Sequence, residues 1–218
     1  MDFQKARKNM VDCQIHTGGV ILPALLAAFE TVPRERFVPE SAQGVSCVDE
    51  SLPLEAGRFL LEPLVQARMI QALAPQPTDV VLDIAGAGYS SALLSSLVST
   101  VVMIEESAML RARSAKIFKE YGYANIVAIE GQFTDGAPHA GPYDGILING
   151  AVTEVPRDLL SQLAPKGRLV ALLKTPKAMV GTVVLFENND DGTYKSSLLF
   201  DSAAHYVPGF TPAPAFMF

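Results

Sequence analysis

The chain has 218 residues, of which 49% are hydrophobic, and a net charge of −6 that comes from 17 Lys and Arg against 23 Asp and Glu. The charge argues against a nucleic-acid partner held by its phosphates, and no apolar run reaches the roughly 18 residues that a bilayer requires, so no membrane partner is expected. Because no pattern typical of a secretion signal is seen, the sequence predicts a cytoplasmic protein with a single α/β domain over residues 1–218.

Residues 1–78 are predicted to form a helical cap and a substrate loop. Apolar residues at helical spacing predict two helices within residues 3–38, the second of which is ended by Pro33. Residues 39–61 show no clear periodicity. Long irregular connections are often binding loops, so we expect this segment to cover a pocket. Pro63 suits the first turn of the next helix.

Residues 79–218 are predicted to form the core and an extended tail. Strand and helix patterns alternate up to residue 173, which predicts a parallel sheet covered by helices. Strands are predicted at 80–84, 101–104, 126–129, 145–148 and 168–173, and helices at 90–97, 108–121 and 157–163. Strands at 183–187 and 194–201 flank turn-forming residues and predict an antiparallel hairpin. In the tail, 207–218, the rings of Phe210, Phe216 and Phe218 are predicted to dock on the domain rather than bind a partner.

The most informative segment is the turn that follows the first predicted strand of the sheet. Asp83 lies in that apolar strand, and Ala85, Gly86 and Gly88 follow in a turn small enough for a ligand to approach the backbone. Such turns are common, so this signal alone is weak. Glu105, however, closes the next apolar run 105 − 83 = 22 residues later, near the roughly 20-residue offset of the acid that binds a ribose in nucleotide-binding βαβ units. Together they predict a ligand that carries a ribose.

Metal or thiol chemistry is not indicated. Cys13 and Cys47 lack metal-ligand spacing and are predicted to be reduced thiols, and His16, His139 and His205 stand apart from one another. We therefore expect no metal site.

The order of these features resembles the class I S-adenosylmethionine-dependent methyltransferases. Strings in the first third of the chain are similar to the protein-L-isoaspartate O-methyltransferase family, and the resemblance extends over nearly the whole sequence. It implies an α/β fold with a Rossmann-like, doubly wound, mostly parallel seven-stranded sheet, an N-terminal helical cap and a C-terminal antiparallel hairpin. The strings are Met10-Val11-Asp12, Val32-Pro33-Arg34, Arg36-Phe37-Val38-Pro39 and Leu52-Pro53-Leu54.

The resemblance also implies methyl transfer from S-adenosylmethionine to a carboxylate of damaged, isoaspartyl protein, so that the partner would be a protein or peptide with a free carboxylate. An acceptor carboxylate with an ordinary pKa near ~3.9 is already ionised at pH 7. The transfer then needs in-line positioning rather than a general base, and no residue is singled out as catalytic. The resemblance implies cofactor contacts at Asp83, Ala85, Gly86, Gly88, Glu105, Gln132 and Asn149, and substrate-facing positions at Leu60, Leu61, Glu62 and Pro63.

The chain departs from the family pattern at three places. The glycine turn is one residue shorter, with Ala85 where the family has its first Gly; Leu61 and Leu64 stand where it has Ser and commonly His; and Gln132 stands where it tends to have Asp. An alternative hypothesis is therefore a degenerate homologue with an altered acceptor or no catalysis, acting as a binding or scaffold module. A nicotinamide-dependent oxidoreductase is a third hypothesis, for which the chain has little room.

Overall fold

The computed structural model describes residues 1–189 and 191–212. Helix α1 (Phe3–Met10) begins at Asp2, whose carboxylate accepts a hydrogen bond from the Lys5 amide at 3.0 Å, and it continues into a π-helical turn at Val11–Ile15. Helix α2 (Pro23–Thr31) starts with proline, which costs no hydrogen bond in a first turn. Both helices predicted within residues 3–38 are thus confirmed.

The segment 39–61, predicted to be an irregular connection, contains a short hairpin, so that prediction was wrong in part. Strands β1 (Leu52–Pro53) and β2 (Phe59–Leu60) pair antiparallel and are joined by a 3₁₀ turn at Glu55–Gly57. Strands of two residues carry no alternation that a sequence pattern could reveal. We call residues 52–60 the strap. Helix α3 (Pro63–Leu73) follows and begins at Pro63, as predicted.

Seven strands form the central sheet: β3 (Val80–Ile84), β4 (Thr100–Ile104), β5 (Ile126–Ile129), β6 (Tyr143–Val152), β7 (Leu163–Leu173), β8 (Gly181–Asn188) and β9 (Tyr194–Ser202). Their order across the sheet is β5-β4-β3-β6-β7-β8-β9. The five strands from β5 to β7 pair in parallel, whereas β8 pairs antiparallel with both of its neighbours. The predicted fold class is therefore confirmed.

Helices α4 (Tyr89–Ser95), α5 (Ala108–Tyr121) and α6 (Arg157–Leu160) connect the parallel strands. Several predicted boundaries were wrong. β6 spans ten residues instead of the predicted 145–148, α6 ends three residues earlier than expected, and β7 begins at Leu163 instead of Arg168. The reason is an irregular register, in which Tyr143 of β6 pairs with Leu163 and Gly145 pairs with Arg168. Among the described residues, no helix has the length and apolar character needed to cross a membrane.

Alternating strand residues bury the two faces of the sheet in two apolar clusters. Val81, Met103 and Leu147 face one cluster together with the N-terminal helices and α4, and Leu82, Ile104 and Ile146 face the other. Both faces of the central strands are buried, which explains their continuous apolar runs. The central strands thus leave only their ends open for polar chemistry.

The segment after β9 returns across the carboxyl end of β6. Ala151 exchanges backbone hydrogen bonds with this segment, donating to the His205 carbonyl and accepting from the Val207 amide, both at 2.9 Å. Phe210 is buried, which confirms the docking predicted for its ring. The docking predicted for Phe216 and Phe218 lies outside the described residues.

Candidate functional site

The predicted turn and the predicted acid meet at one edge of the sheet. Strands β3 and β4 pair in parallel with Asp83 beside Met103 and Ile84 beside Ile104, so their carboxyl ends coincide. β6 lies on the other side of β3, where the strand order reverses direction, and ligands of open α/β sheets bind at such a point. A cavity of about 260 Å³ lies here, and we call it the switch crevice. Its lining comprises Arg58, Glu105, Glu106, Ser107, Phe133 and Pro208.

Asp83 is fully buried, and its carboxylate is held by donors of the protein itself. Ser90 Oγ donates to both oxygens at 2.7 and 2.6 Å, Ser91 Oγ donates to Oδ2, and Asn149 Nδ2 donates to Oδ1 at 2.7 Å. Burial raises the pKa of Asp83 against the opposing effect of these hydrogen bonds. Asp83 and Asn149 therefore build the floor beneath the glycine turn, and Asp83 does not line the switch crevice.

The shortened turn itself adopts a strained path. Ala85 and Ala87 have φ angles of 63° and 50°, in the left-handed region that L-residues avoid at a cost of roughly 1–2 kcal/mol each. Gly86 allows a close approach of the backbone, since a Cβ there would lie 1.7 Å from Ser90 Oγ. Strain of this kind is typical of functional turns. The backbone at Ala85 and Gly86 packs against the Asp83 network on its inner side.

Glu105 directly follows β4, is fully buried, and is bound by an arginine that the sequence argument missed. Arg58 Nη1 donates to Oε1 and Oε2 of Glu105 at 2.9 and 3.1 Å, and the Ser107 amide donates to Oε1 at 3.0 Å. Arg58 Nη2 also donates to the carbonyl oxygen of Ala85. Only 5% of the Arg58 side chain is exposed. One guanidinium thus ties the strap to both the glycine turn and the acid.

Gln132, predicted to contact the cofactor, is exposed, whereas its neighbour Phe133 is buried in the crevice. The Arg58 guanidinium lies 4.7 Å from the centre of the Phe133 ring, within the range of a cation–π contact. Glu106 accepts a hydrogen bond from the Phe133 amide at 2.9 Å, which fixes this wall. The aromatic surface of the crevice is therefore covered by Arg58.

A second cavity of about 360 Å³, the outer cavity, lies beside the strap; Glu50, Glu62, Lys174 and His205 are among its lining residues. Burial and the nearby Asp49 raise the pKa of Glu62. Lys174 Nζ donates to the Ala204 carbonyl and lies 4.3 Å from the Tyr206 ring centre. The outer cavity therefore presents charges of both signs.

The two cavities are separated by a gap of about 10 Å³ to which Arg58, Phe59, Asn149 and His205 contribute. The rings of Phe59 and His205 stack there with centroids 3.4 Å apart. Arg58 lines the switch crevice and His205 lines the outer cavity. The contact between the strap and the segment after β9 therefore lies between the two cavities.

Of the four residues predicted to face the substrate, only Glu62 lines the outer cavity. Leu60, Leu61 and Pro63 are buried and do not line the outer cavity, although Leu61 contributes to the gap between the two cavities. Arg34, a fully buried arginine, donates to the Leu61 carbonyl at 2.6 Å and to the Ser46 carbonyl at 2.7 Å. These hydrogen bonds hold the backbone at Ser46 and Leu61 against the buried guanidinium.

Other polar features lie outside the switch crevice and the outer cavity. A depression of about 510 Å³ beside α1 is lined by Asp2, Lys5, Lys8 and other mostly polar residues, and none of its lining residues comes from a strand end. Cys13 and Cys47 are free thiols. Within the described ranges, no group of His, Cys, Asp and Glu has the arrangement of a metal site. The switch crevice and the outer cavity are the better candidates for chemistry.

A ribose-bearing ligand fits the chemistry of the switch crevice but not its present arrangement. A buried carboxylate after β4 suits the two hydroxyl donors of a ribose. Both Glu105 oxygens accept from Arg58 in this structure, so a ribose could bind there only after the guanidinium moves. The residue types therefore fit, and the position of Arg58 is an obstacle.

Comparison with known proteins agrees with this geometry. The profile of the family described as protein-L-isoaspartate(D-aspartate) O-methyltransferase (PCMT) matches residues 5–209. A protein-L-isoaspartate O-methyltransferase of Methanoregula boonei is 37% identical over 203 residues, which cover 93% of this chain and 91% of the relative. One from a Roseiflexus species is 38% identical over 171 residues, 78% of each chain.

Solved structures share the fold. A protein-L-isoaspartate O-methyltransferase superposes with a TM-score of 0.79 at 22% identity, over 94% of this chain and 66% of that longer chain. A Plasmodium falciparum protein named as a beta-aspartate methyltransferase, in complex with S-adenosyl-L-homocysteine, superposes with a TM-score of 0.72 at 18% identity, over 91% of this chain and 96% of that one. With the profile match and the identity to these relatives, the chain belongs to the protein-L-isoaspartate(D-aspartate) O-methyltransferase family, whose members use S-adenosylmethionine.

Proposed function

We propose that this chain transfers the methyl group of S-adenosylmethionine to a carboxylate of a protein or peptide, with an isoaspartyl residue as the acceptor. One observation carries the proposal: the buried Glu105 carboxylate lies directly after β4, beside the glycine turn of β3 at the switch point. An acid at this place binds the ribose of a nucleoside ligand. Family membership supports the same reaction.

The residues of the switch crevice would hold the cofactor in distinct ways. Glu105 would accept hydrogen bonds from the ribose hydroxyls once Arg58 has left it, and the backbone of Ala85 and Gly86 would lie against the amino-acid part. Asn149 would act indirectly, since its amide donates to Asp83 and to the Ile84 carbonyl at 2.8 Å. Gln132, exposed and adjacent in sequence to Phe133 of the crevice, would contact the adenine edge.

The bound cofactor supplies an electrophilic methyl group on a sulfonium. The acceptor carboxylate is ionised at neutral pH, so this chain need not remove a proton. Its contribution is to orient the acceptor and exclude water. In the outer cavity Lys174 would attract an anionic acceptor, whereas Glu62 would repel it.

The test is methyl transfer from labelled S-adenosylmethionine to an isoaspartyl peptide. A base-labile methyl ester on the isoaspartyl peptide, with none on the matched aspartyl peptide, is the expected result. Esterification of other proteins in a cell extract, without esterification of the peptide, would retain the methyltransferase and replace the acceptor. If no label moves under either condition, the proposed reaction is wrong.

A degenerate homologue that serves as a binding or scaffold module is the second candidate, and the Arg58–Glu105 pair favours it. Arg58 supplies a positive charge and hydrogen bonds to Glu105, so this buried carboxylate needs no ligand to pair with. Calorimetric titration with S-adenosyl-L-homocysteine separates the two candidates. Absence of binding at millimolar ligand would favour the module.

A further inference from the structure

The Arg58 side chain makes the contacts at Glu105 that a ribose would need. A ribose offers two hydroxyl donors to a carboxylate, and Arg58 Nη1 already donates to both oxygens of Glu105, at 2.9 and 3.1 Å. The guanidinium also covers the Phe133 ring, the aromatic wall of the switch crevice. Arg58 and a nucleoside therefore cannot hold Glu105 in this way at the same time.

Arg58 belongs to a part of the strap that is weakly attached. Leu52, Leu54 and Leu60 are buried and anchor the two short strands. The tip between them, residues 55–59, carries Gly57 with a φ of 70° and nothing within 4 Å of its Cβ position. An isolated two-stranded hairpin is marginally stable in water. The three buried leucines can thus stay in place while the tip, which includes the first residue of β2, moves.

Besides Arg58, two further side chains among those described in the tip, Glu55 and Phe59, contact the rest of the domain. Glu55 forms an ion pair with Arg113 of α5, each about a quarter exposed, and Phe59 stacks on His205. Partly exposed ion pairs contribute little stability because solvent screens them. The buried contact of Arg58 with Glu105 is therefore the main attachment of the tip to the switch crevice.

We propose that Arg58 is an internal competitor of the cofactor: it holds the strap tip closed over Glu105 and must leave before the ribose can bind. This inference rests on the proposed function, because it concerns the same crevice. When only a fraction of the molecules has an open tip, the apparent dissociation constant rises by the inverse of that fraction. Arg58 then sets the affinity of the site for its cofactor.

The experiment is calorimetric titration of the full chain with S-adenosyl-L-homocysteine, which lacks the sulfonium charge, so that a change in affinity does not reflect repulsion from Arg58. We expect Arg58→Ala to bind at least tenfold more tightly than the wild type and Arg58→Lys to bind with intermediate affinity, since Lys lacks the planar fork that donates to Glu105 and to the Ala85 carbonyl at once. Arg168→Ala is the matched control. It removes an arginine–carboxylate pair, with Asp79 at 3.2 Å, outside the crevice, and its affinity should stay within twofold of wild type.

Hydrogen exchange supplies a readout that is independent of affinity. Addition of S-adenosyl-L-homocysteine to the wild type should free the tip and so increase the rate of amide exchange in residues 55–59. Arg58→Ala should already show faster exchange there before ligand is added. Circular dichroism confirms that each variant is folded. If Arg58→Ala is unfolded, Arg58→Met, which keeps the length and apolar stem of the side chain, replaces it.

Each outcome decides between the two proposals. Equal affinity of wild type and folded Arg58 variants overturns the competition and leaves the proposed function standing. Absence of binding to all variants overturns both. Tighter binding by the Arg58 variants, with wild-type affinity in Arg168→Ala, supports the competition.

Discussion

Phe59 and His205 stack with their ring centroids 3.4 Å apart and their planes 7° from parallel. One ring belongs to the strap and the other to the segment that returns across β6. Partial burial and the nearby Lys174 lower the pKa of His205, which favours the neutral form of the imidazole. The stack thus lies at the gap between the crevice and the outer cavity.

Phe59→Ala should loosen the strap tip. Aromatic pairs contribute about 0.5–1.5 kcal/mol beyond their buried area, so the amides of residues 55–59 should exchange roughly two- to tenfold faster. Hydrogen exchange with mass spectrometry measures this. Tyr121→Ala, which removes a different aromatic stack with Tyr123, is the control and should leave the tip unchanged. Unchanged exchange in Phe59→Ala would show that the stack does not hold the tip.

Removal of either partner of the Arg58–Glu105 pair should destabilise the ligand-free protein. Glu105→Ala leaves a buried guanidinium without its carboxylate, and loss of one partner of a buried pair costs about 3–5 kcal/mol. The double variant Arg58→Ala/Glu105→Ala should cost less than the sum of the two single changes, with a coupling of about 0.5–3 kcal/mol. Urea denaturation measures all four proteins. Strict additivity would mean that the two side chains do not stabilise each other.

Gly86→Ala should disrupt the floor of the crevice. The added Cβ would meet Ser90 Oγ at 1.7 Å and Asp83 Oδ2 at 2.8 Å, and forced overpacking costs about 1–3 kcal/mol. Gly44→Ala is the matched control, because nothing lies within 4 Å of its Cβ position, and it should change the free energy of unfolding by less than about 0.5 kcal/mol. Equal stability of the two variants would contradict the packing described for the turn.

Glu62→Gln should improve the binding of an anionic acceptor peptide. At pH 8 the Glu62 carboxylate is charged, and the repulsion it exerts is on the order of 1 kcal/mol, or about fivefold in KM. Burial and Asp49 raise the pKa of Glu62. Glu62 therefore takes up a proton at a higher pH than an ordinary glutamate, and the difference between wild type and variant should shrink as the pH falls.

The measurement is KM for an isoaspartyl peptide between pH 5 and pH 8. Glu120→Gln, on α5 and paired with Arg36 outside the outer cavity, is the control. A KM ratio between wild type and Glu62→Gln that does not change with pH would rule out titration of Glu62 as the cause.

Much of the fold could be predicted because the central strands are buried on both faces. Strands β3 and β5 and helix α5 have the bounds read from their apolar runs and their flanking turn residues. The hairpin of the strap could not be predicted, since each of its strands has two residues. The irregular pairing of β6 with β7 depends on contacts between residues far apart in sequence, which no local pattern records.

The position of the candidate site at the strand ends was predicted, but the hydrogen bonds between its side chains were not. Asp83, the glycine turn and Glu105 do meet at one edge, as the parallel pairing required. Arg58 was missed because arginine is seldom buried unless it is paired, and its partner Glu105 lies 47 residues away in sequence. Ser90 and Ser91 were also missed, and two hydroxyls in the first turn of α4 were the available signal for the donors to Asp83.

Arg58 and Phe59 are consecutive residues that contact neighbouring sites. Arg58 binds Glu105, the acid that we propose for the ribose, and Phe59 stacks on His205 at the edge of the outer cavity. Displacement of the tip by one ligand therefore also prepares the site of the other. The free energy of opening is incurred once, by whichever ligand arrives first, so the cofactor and the acceptor would bind with positive cooperativity. Thermodynamic linkage makes the enhancement factor the same in either order of addition.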